Sequence, residues 1–139
     1  MGGNFSTNYR ESNLISRLES SRQSAWSRQL SMLGDLGDDV ARKLALKLVH
    51  AGLIEVTNMR DLEEQLIVCV NDLLHAEDFE IQYAISPIRD LVDKPNRISL
   101  FVTAFIIEKL INHRAVVDVF GTDEEIYNVV NDEIMRMLK

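Results

Sequence analysis

Apolar residues recur at intervals of three and four along most of the chain, the period of a helix packed on one side. Val40, Ala41, Leu44, Ala45 and Leu48 make the first strong stripe, with Arg42, Lys43 and Lys47 off it. Gly52 follows, at the place where a helix commonly ends in a left-handed residue. Leu53-Ile54-Glu55-Val56 then reads as a short extended piece. Thr57 or Asn58 can cap a helix from about Arg60 to His75, whose first turn holds Asp61, Glu63 and Glu64, complementing the helix dipole. Phe79, Ile81, Tyr83, Ala84, Ile88, Leu91 and Val92 predict another helix from about Asp78 to Val92. Pro87 should kink or interrupt it, because proline has no N–H to donate.

The next predicted helix, about Ile98–Asn112, is apolar on nearly every side: Leu100, Phe101, Val102, Phe105, Ile106, Ile107, Leu110 and Ile111. Such a helix is buried all round, so it is the expected centre of the core. Val116–Val119 is a second extended piece. Thr122-Asp123-Glu124-Glu125 is a capping box, in which side chain and backbone satisfy each other's hydrogen bonds, and it opens a last helix reaching Leu138.

Residues 40–74 and 102–138 then look like two copies of one unit. Val40–Val49 aligns without a gap on Val102–Ile111, and after a slip of one residue Leu53–Val56 answers Val116–Val119. A second slip sets Leu62, Leu66, Val70, Leu73 and Leu74 on Ile126, Val130, Ile134, Met137 and Leu138. The expected fold is all-α: two helix–short extended stretch–helix units sharing one core, related by a pseudo-twofold or a translation.

An N-terminal arm precedes them. Residues 1–31 hold eight serines and few branched apolar residues, and Met1 to about Tyr9 is expected to be disordered. From there a thin stripe of Leu14, Leu18, Trp26, Leu30 and Leu33 predicts a helix with a narrow apolar face. Gly34 and Gly37 are expected to break it, leaving Asp38 or Asp39 to cap the next helix. The chain therefore divides into an arm, 1–37, and a helical domain, 38–139.

Charge narrows the choice of partner. The net charge is −7; residues 1–37 carry four Arg against three acids, which leaves −8 on the rest. Proteins that bind a nucleic-acid backbone cluster Lys and Arg to neutralise phosphates, and no such cluster is visible. The single Cys69 cannot form an internal disulfide and suits a reducing cytoplasm. No stretch approaches the ~18 apolar residues of a membrane span, and no secretory signal is visible. Gly2-Gly3-Asn4-Phe5-Ser6 fits the loose pattern for N-terminal myristoylation, though small polar residues at a disordered start explain it as well.

Candidate chemistry is sparse. Cys69 lies among Leu66, Ile67, Val68 and Val70 with no basic partner near in sequence, the setting of a buried inert thiol. His50 and His113 fall at matching places in the two units, but no His or carboxylate stands at metal-ligand spacing from them. Asp72, His75, Glu77 and Asp78 could hold a cation only weakly; polar residues at a helix end account for them. There is no phosphate-binding glycine loop and no catalytic signature. No enzyme activity, metal or cofactor is expected.

Leu46–Val56 resembles the end of a recognition helix entering the wing of winged-helix proteins, which implies DNA binding through Arg42, Lys43, Lys47 and Arg60. Where the basic turn and second strand of that family should follow, an acidic helix begins instead. About residues 40–78, with their Gly-Leu-Ile-Glu-Val segment between two helices, also resemble a small bacterial helical family known only as domain of unknown function 507. That resemblance implies no site residues. The expected function is a protein–protein interaction or adaptor protein, self-associating as a homodimer through Leu14, Leu18, Trp26, Leu30 and Leu33; the alternative is a small helical DNA-associated regulator.

Overall fold

The computed structural model describes the backbone from Gly2 and the side chains from Gln23 to Lys139. Helix α1 runs Gly2–His50, followed by strand β1 (Ile54–Val56), α2 (Met59–His75) and α3 (Asp78–Ile85). A 3-10 turn at Ser86–Ile88 leads to α4 (Arg97–Glu108), a second such turn at Leu110–Asn112, strand β2 (Val116–Val119) and α5 (Asp123–Met137). The fold is all-α, with one two-stranded ribbon among the described residues. Among the described residues no helix is long and apolar enough to cross a membrane.

The predicted caps form. Asn58 accepts hydrogen bonds from the N–H groups of Arg60 and Asp61, and Thr122 and Glu125 bond reciprocally at the start of α5. Gly52, at a φ of +73°, closes α1: its N–H bonds to the Val49 carbonyl, and the Leu53 N–H bonds to that of Leu48. This double closure satisfies two orphan carbonyls and turns the chain straight into β1.

Two expectations need correction. Gly34 and Gly37 do not break the first helix; α1 passes through both. A glycine inside a long run of helix formers costs only about 1 kcal/mol, and Gly37 is there for packing. A Cβ on it would lie 3.1 Å from Val70 Cγ1, so its bareness lets α2 cross α1 closely. The interruption expected at Pro87 occurs, but the helix does not resume to Val92: α3 stops at Ile85 and the chain tightens into a 3-10 turn. Similarly, α4 ends at Glu108, and Leu110–Asn112 winds as 3-10.

One core joins both halves. Ile98 through Ile106 on α4 are all buried, packed with Val40, Leu44 and Leu48 of α1, Leu62, Leu66 and Leu73 of α2, and Ile126, Val130 and Ile134 of α5. The polar groups at the start of α4 are satisfied inside this core. Ser99 Oγ donates to Asn131 Oδ1 at 2.8 Å, Thr103 to the Ser99 carbonyl at 2.7 Å, and the Asn96 N–H to the Tyr127 hydroxyl at 2.9 Å. The strands pair antiparallel, Ile54 with Val119 and Glu55 with Asp118, before a bulge sets Val56 against Val116.

Candidate functional site: an aromatic groove with an acidic rim

Helix α3 is short and apolar on two faces. Ile81 and Ile85, one turn apart, bury one face in the core. Phe79 and Tyr83, also one turn apart, stand on the other and are 67% and 84% exposed. Two large rings held in water side by side cost hydrophobic free energy unless something covers them. The start of α3 is fixed from both sides. The Glu77 N–H donates to Glu80 Oε1 at 3.2 Å, and Asp78 pairs with the Arg97 guanidinium.

The rings border an open groove of about 890 Å³ between the end of α2, α3 and the end of α4. Phe101, Ala76 and Ala84 contribute apolar lining, while Asn71, Asp72 and His75 stand on the α2 side and Glu108 and Lys109 on the α4 side. Asp72, Glu80 and Glu108 outnumber Lys109, so the rim is acidic. His75 Nδ1 donates to the Asn71 carbonyl at 2.8 Å. Lys109 Nζ lies 5.6 Å from the centre of the Phe105 ring. Cys69 is buried on α2, and burial pushes its thiol well above the ordinary range; the Asp72 charge adds to the shift and Lys109 works against it. A thiol kept protonated and out of solvent is a poor nucleophile. The groove thus combines an apolar lining with carboxylates on its rim.

The residues expected to meet a partner are placed unevenly. Leu14 and Leu18, like the expected irregular start up to about Tyr9, lie outside the described side chains. Trp26 and Leu30 are half-buried against the chain's own core. Leu33 is 1% exposed, sealed in the chain's own core, and so has no surface left for a partner, a correction to its expected role. The Arg97 guanidinium stacks 4.7 Å above the Trp26 ring while it pairs with Asp78, so one cation clamps α1 to the start of α3.

The other candidates disperse. Of the acidic cluster, Glu77 and Asp78 serve the start of α3, while Asp72 and His75 line the groove. Among the described residues no three metal-ligating side chains converge. Arg42 pairs with Asp39 at 3.3 Å and Arg60 with Glu64 at 3.7 Å. Lys47 shares a smaller hollow with Asp132 and Glu133. Sequence reasoning placed Phe79 and Tyr83 in a helix but missed their exposure. The available signal was two i,i+4 apolar pairs on a helix too short to bury both. The chain matches no protein-family model, and no curated protein or solved structure is significantly similar to it.

Proposed function

We propose that this chain is a non-catalytic protein–protein interaction module that associates with itself. The observation that carries the reading is the uncovered pair Phe79 and Tyr83 beside an open, acid-rimmed groove. Aromatic residues bordering a pocket are the usual anchors of an interface, and twofold dimers are the commonest assembly. A buried, protonated Cys69 fits a reducing cytoplasmic setting. Sedimentation velocity across a micromolar concentration series tests this. The full chain should pass from a 15.9 kDa monomer to a dimer, and Phe79→Ala with Tyr83→Ala should shift that transition upward while helicity stays constant. A chain that stays monomeric throughout would refute self-association.

The internal repeat is part of the same proposal, and the ribbon supports its twofold form. Aligning the units makes Glu55 the counterpart of Asp118, and those two residues face each other in the ladder. A translated copy would lay the strands parallel; a rotation through the Glu55–Asp118 pair lays them antiparallel, as found. The rotation would also set Val56 against Val117, and the bulge replaces that partner with Val116.

A further inference from the structure

We propose that the occupant of the aromatic groove is the arginine-bearing segment 10–22 of a second copy, so that two chains exchange their N-terminal arms. The inference rests on the self-association reading and names the surfaces that meet.

Pitch and charge both match. In sequence, Arg10, Leu14, Leu18 and Arg22 stand at successive intervals of four, so one helical row has a leucine pair with an arginine at each end. Arg17 flanks the row, and Glu11 and Glu19 fall outside it. Phe79 and Tyr83 are likewise four apart on α3. Side chains so spaced on a helix lie roughly 5–6 Å apart, so two leucines can seat against two rings in register. Asp72, Glu80 and Glu108 line the same groove and carry the charge opposite to the arginines. An amphipathic helix laid in an apolar groove with opposite charges at the rim is a common recognition mode, and the charges fix its direction.

The continuity of α1 argues for a second copy. Trp26 is clamped beside Asp78 by Arg97, and among the described residues none of α1 lines the groove. A straight helix runs about 18 Å from Trp26 to Leu14, and both residues belong to the one helix α1. Turning segment 10–22 back onto its own α3 would break the helix, whereas a neighbouring chain can approach in any orientation. In a twofold pair each arm fills the other's groove, so both faces are covered at once.

A charge-swap experiment on full-length chains tests this by sedimentation and dimer affinity. One variant reverses the groove, Asp72→Lys with Glu108→Lys; neither carboxylate makes a hydrogen bond or ion pair among the described residues. The other reverses the arm, Arg10→Glu with Arg17→Glu and Arg22→Glu. Each alone mismatches both contacts and should weaken the dimer by roughly tenfold or more. Mixed, they match at both contacts, and a heterodimer should form within about threefold of the wild-type affinity. Raising salt should weaken wild type and the mixed pair alike. If both variants dimerise like wild type, self-association stands on another surface and arm exchange is overturned. If both are folded monomers by circular dichroism and mixing restores nothing, the arm is not the occupant. A wild-type chain that never dimerises, because its arm folds onto its own groove or because another protein fills it, overturns the proposal and the reading beneath it.

Discussion

Replacing Gly34 by alanine should make the protein more stable, and the same change at Gly37 should not. Both glycines sit inside α1, so each alanine recovers about 1 kcal/mol of helix propensity, much of it by restricting the unfolded chain. The surroundings decide the rest. A Cβ at Gly34 meets nothing within 4 Å, so the gain survives whole. At Gly37 the new carbon lands 3.1 Å from Val70 Cγ1, in the seam where α2 crosses. Forcing extra volume into a packed contact costs about 1–3 kcal/mol, which offsets or exceeds the propensity gain. Urea denaturation, followed by far-UV circular dichroism and by the fluorescence of the single Trp26, gives both free energies. For a chain of this size 1 kcal/mol corresponds to roughly 3–5 °C in Tm. A Gly34→Ala protein no more stable than wild type, or less stable than Gly37→Ala, would refute the continuous helix and restore a hinge.

Other perturbations probe other contacts. Ile106→Ala, at a side chain 0% exposed in the most enclosed helix, should destabilise by about 2–5 kcal/mol, whereas Phe79→Ala should change the monomer's stability by about 0.5 kcal/mol or less; a denaturation series reversing that order would invert the core. Arg97→Met should remove the cation above Trp26 and the partner of Asp78, costing about 1 kcal/mol and shifting the Trp26 emission; unchanged fluorescence would mean the clamp does not form in solution. Cys69 titrates from an ordinary 9.0 when unfolded and higher when folded. Its contribution is therefore fully present below pH 9 and lost above it, by up to about 1.4 kcal/mol per pH unit; a Cys69→Ala protein should lack that part of the alkaline decline, and identical pH profiles would show that the thiol is not sealed.

Much of the helix plan was legible because its signals are local. Asn58, Thr122 with Glu125, and Gly52 each announce an end through a hydrogen bond made within a few residues. Apolar residues on nearly every side of 98–106 pointed to a buried helix. What stayed hidden depends on distant partners. Gly34 and Gly37 look alike in sequence, and only Val70, on another helix, separates a tolerated glycine from a required one. The extended pieces were visible, but their pairing joins residues such as Thr57 and Ala115, 58 positions apart. The groove escaped notice for a related reason: which side of α3 faces outward is decided by what Ile81 and Ile85 find to pack against, not by the helix itself. Trp26 and Leu33 had the spacing of a partner-seeking stripe, and the chain's own body claimed them first.

The ribbon also sets an order of events during synthesis. β1 emerges from the ribosome long before β2 exists, yet among the described residues its strand partner is β2. Until then Ile54–Val56 must leave its ladder groups to water. The hairpin of α1 and α2 can close early, because its contacts are local and loop closure between them is cheap. The face of α1 that receives α5 and the face of α2 that receives α4 stay bare meanwhile, and bare apolar faces on nascent chains are where aggregation begins. Completion arrives all at once, when the last third of the chain delivers a strand and two helices to surfaces already waiting. Pauses in translation before Val116 should therefore prolong the vulnerable state.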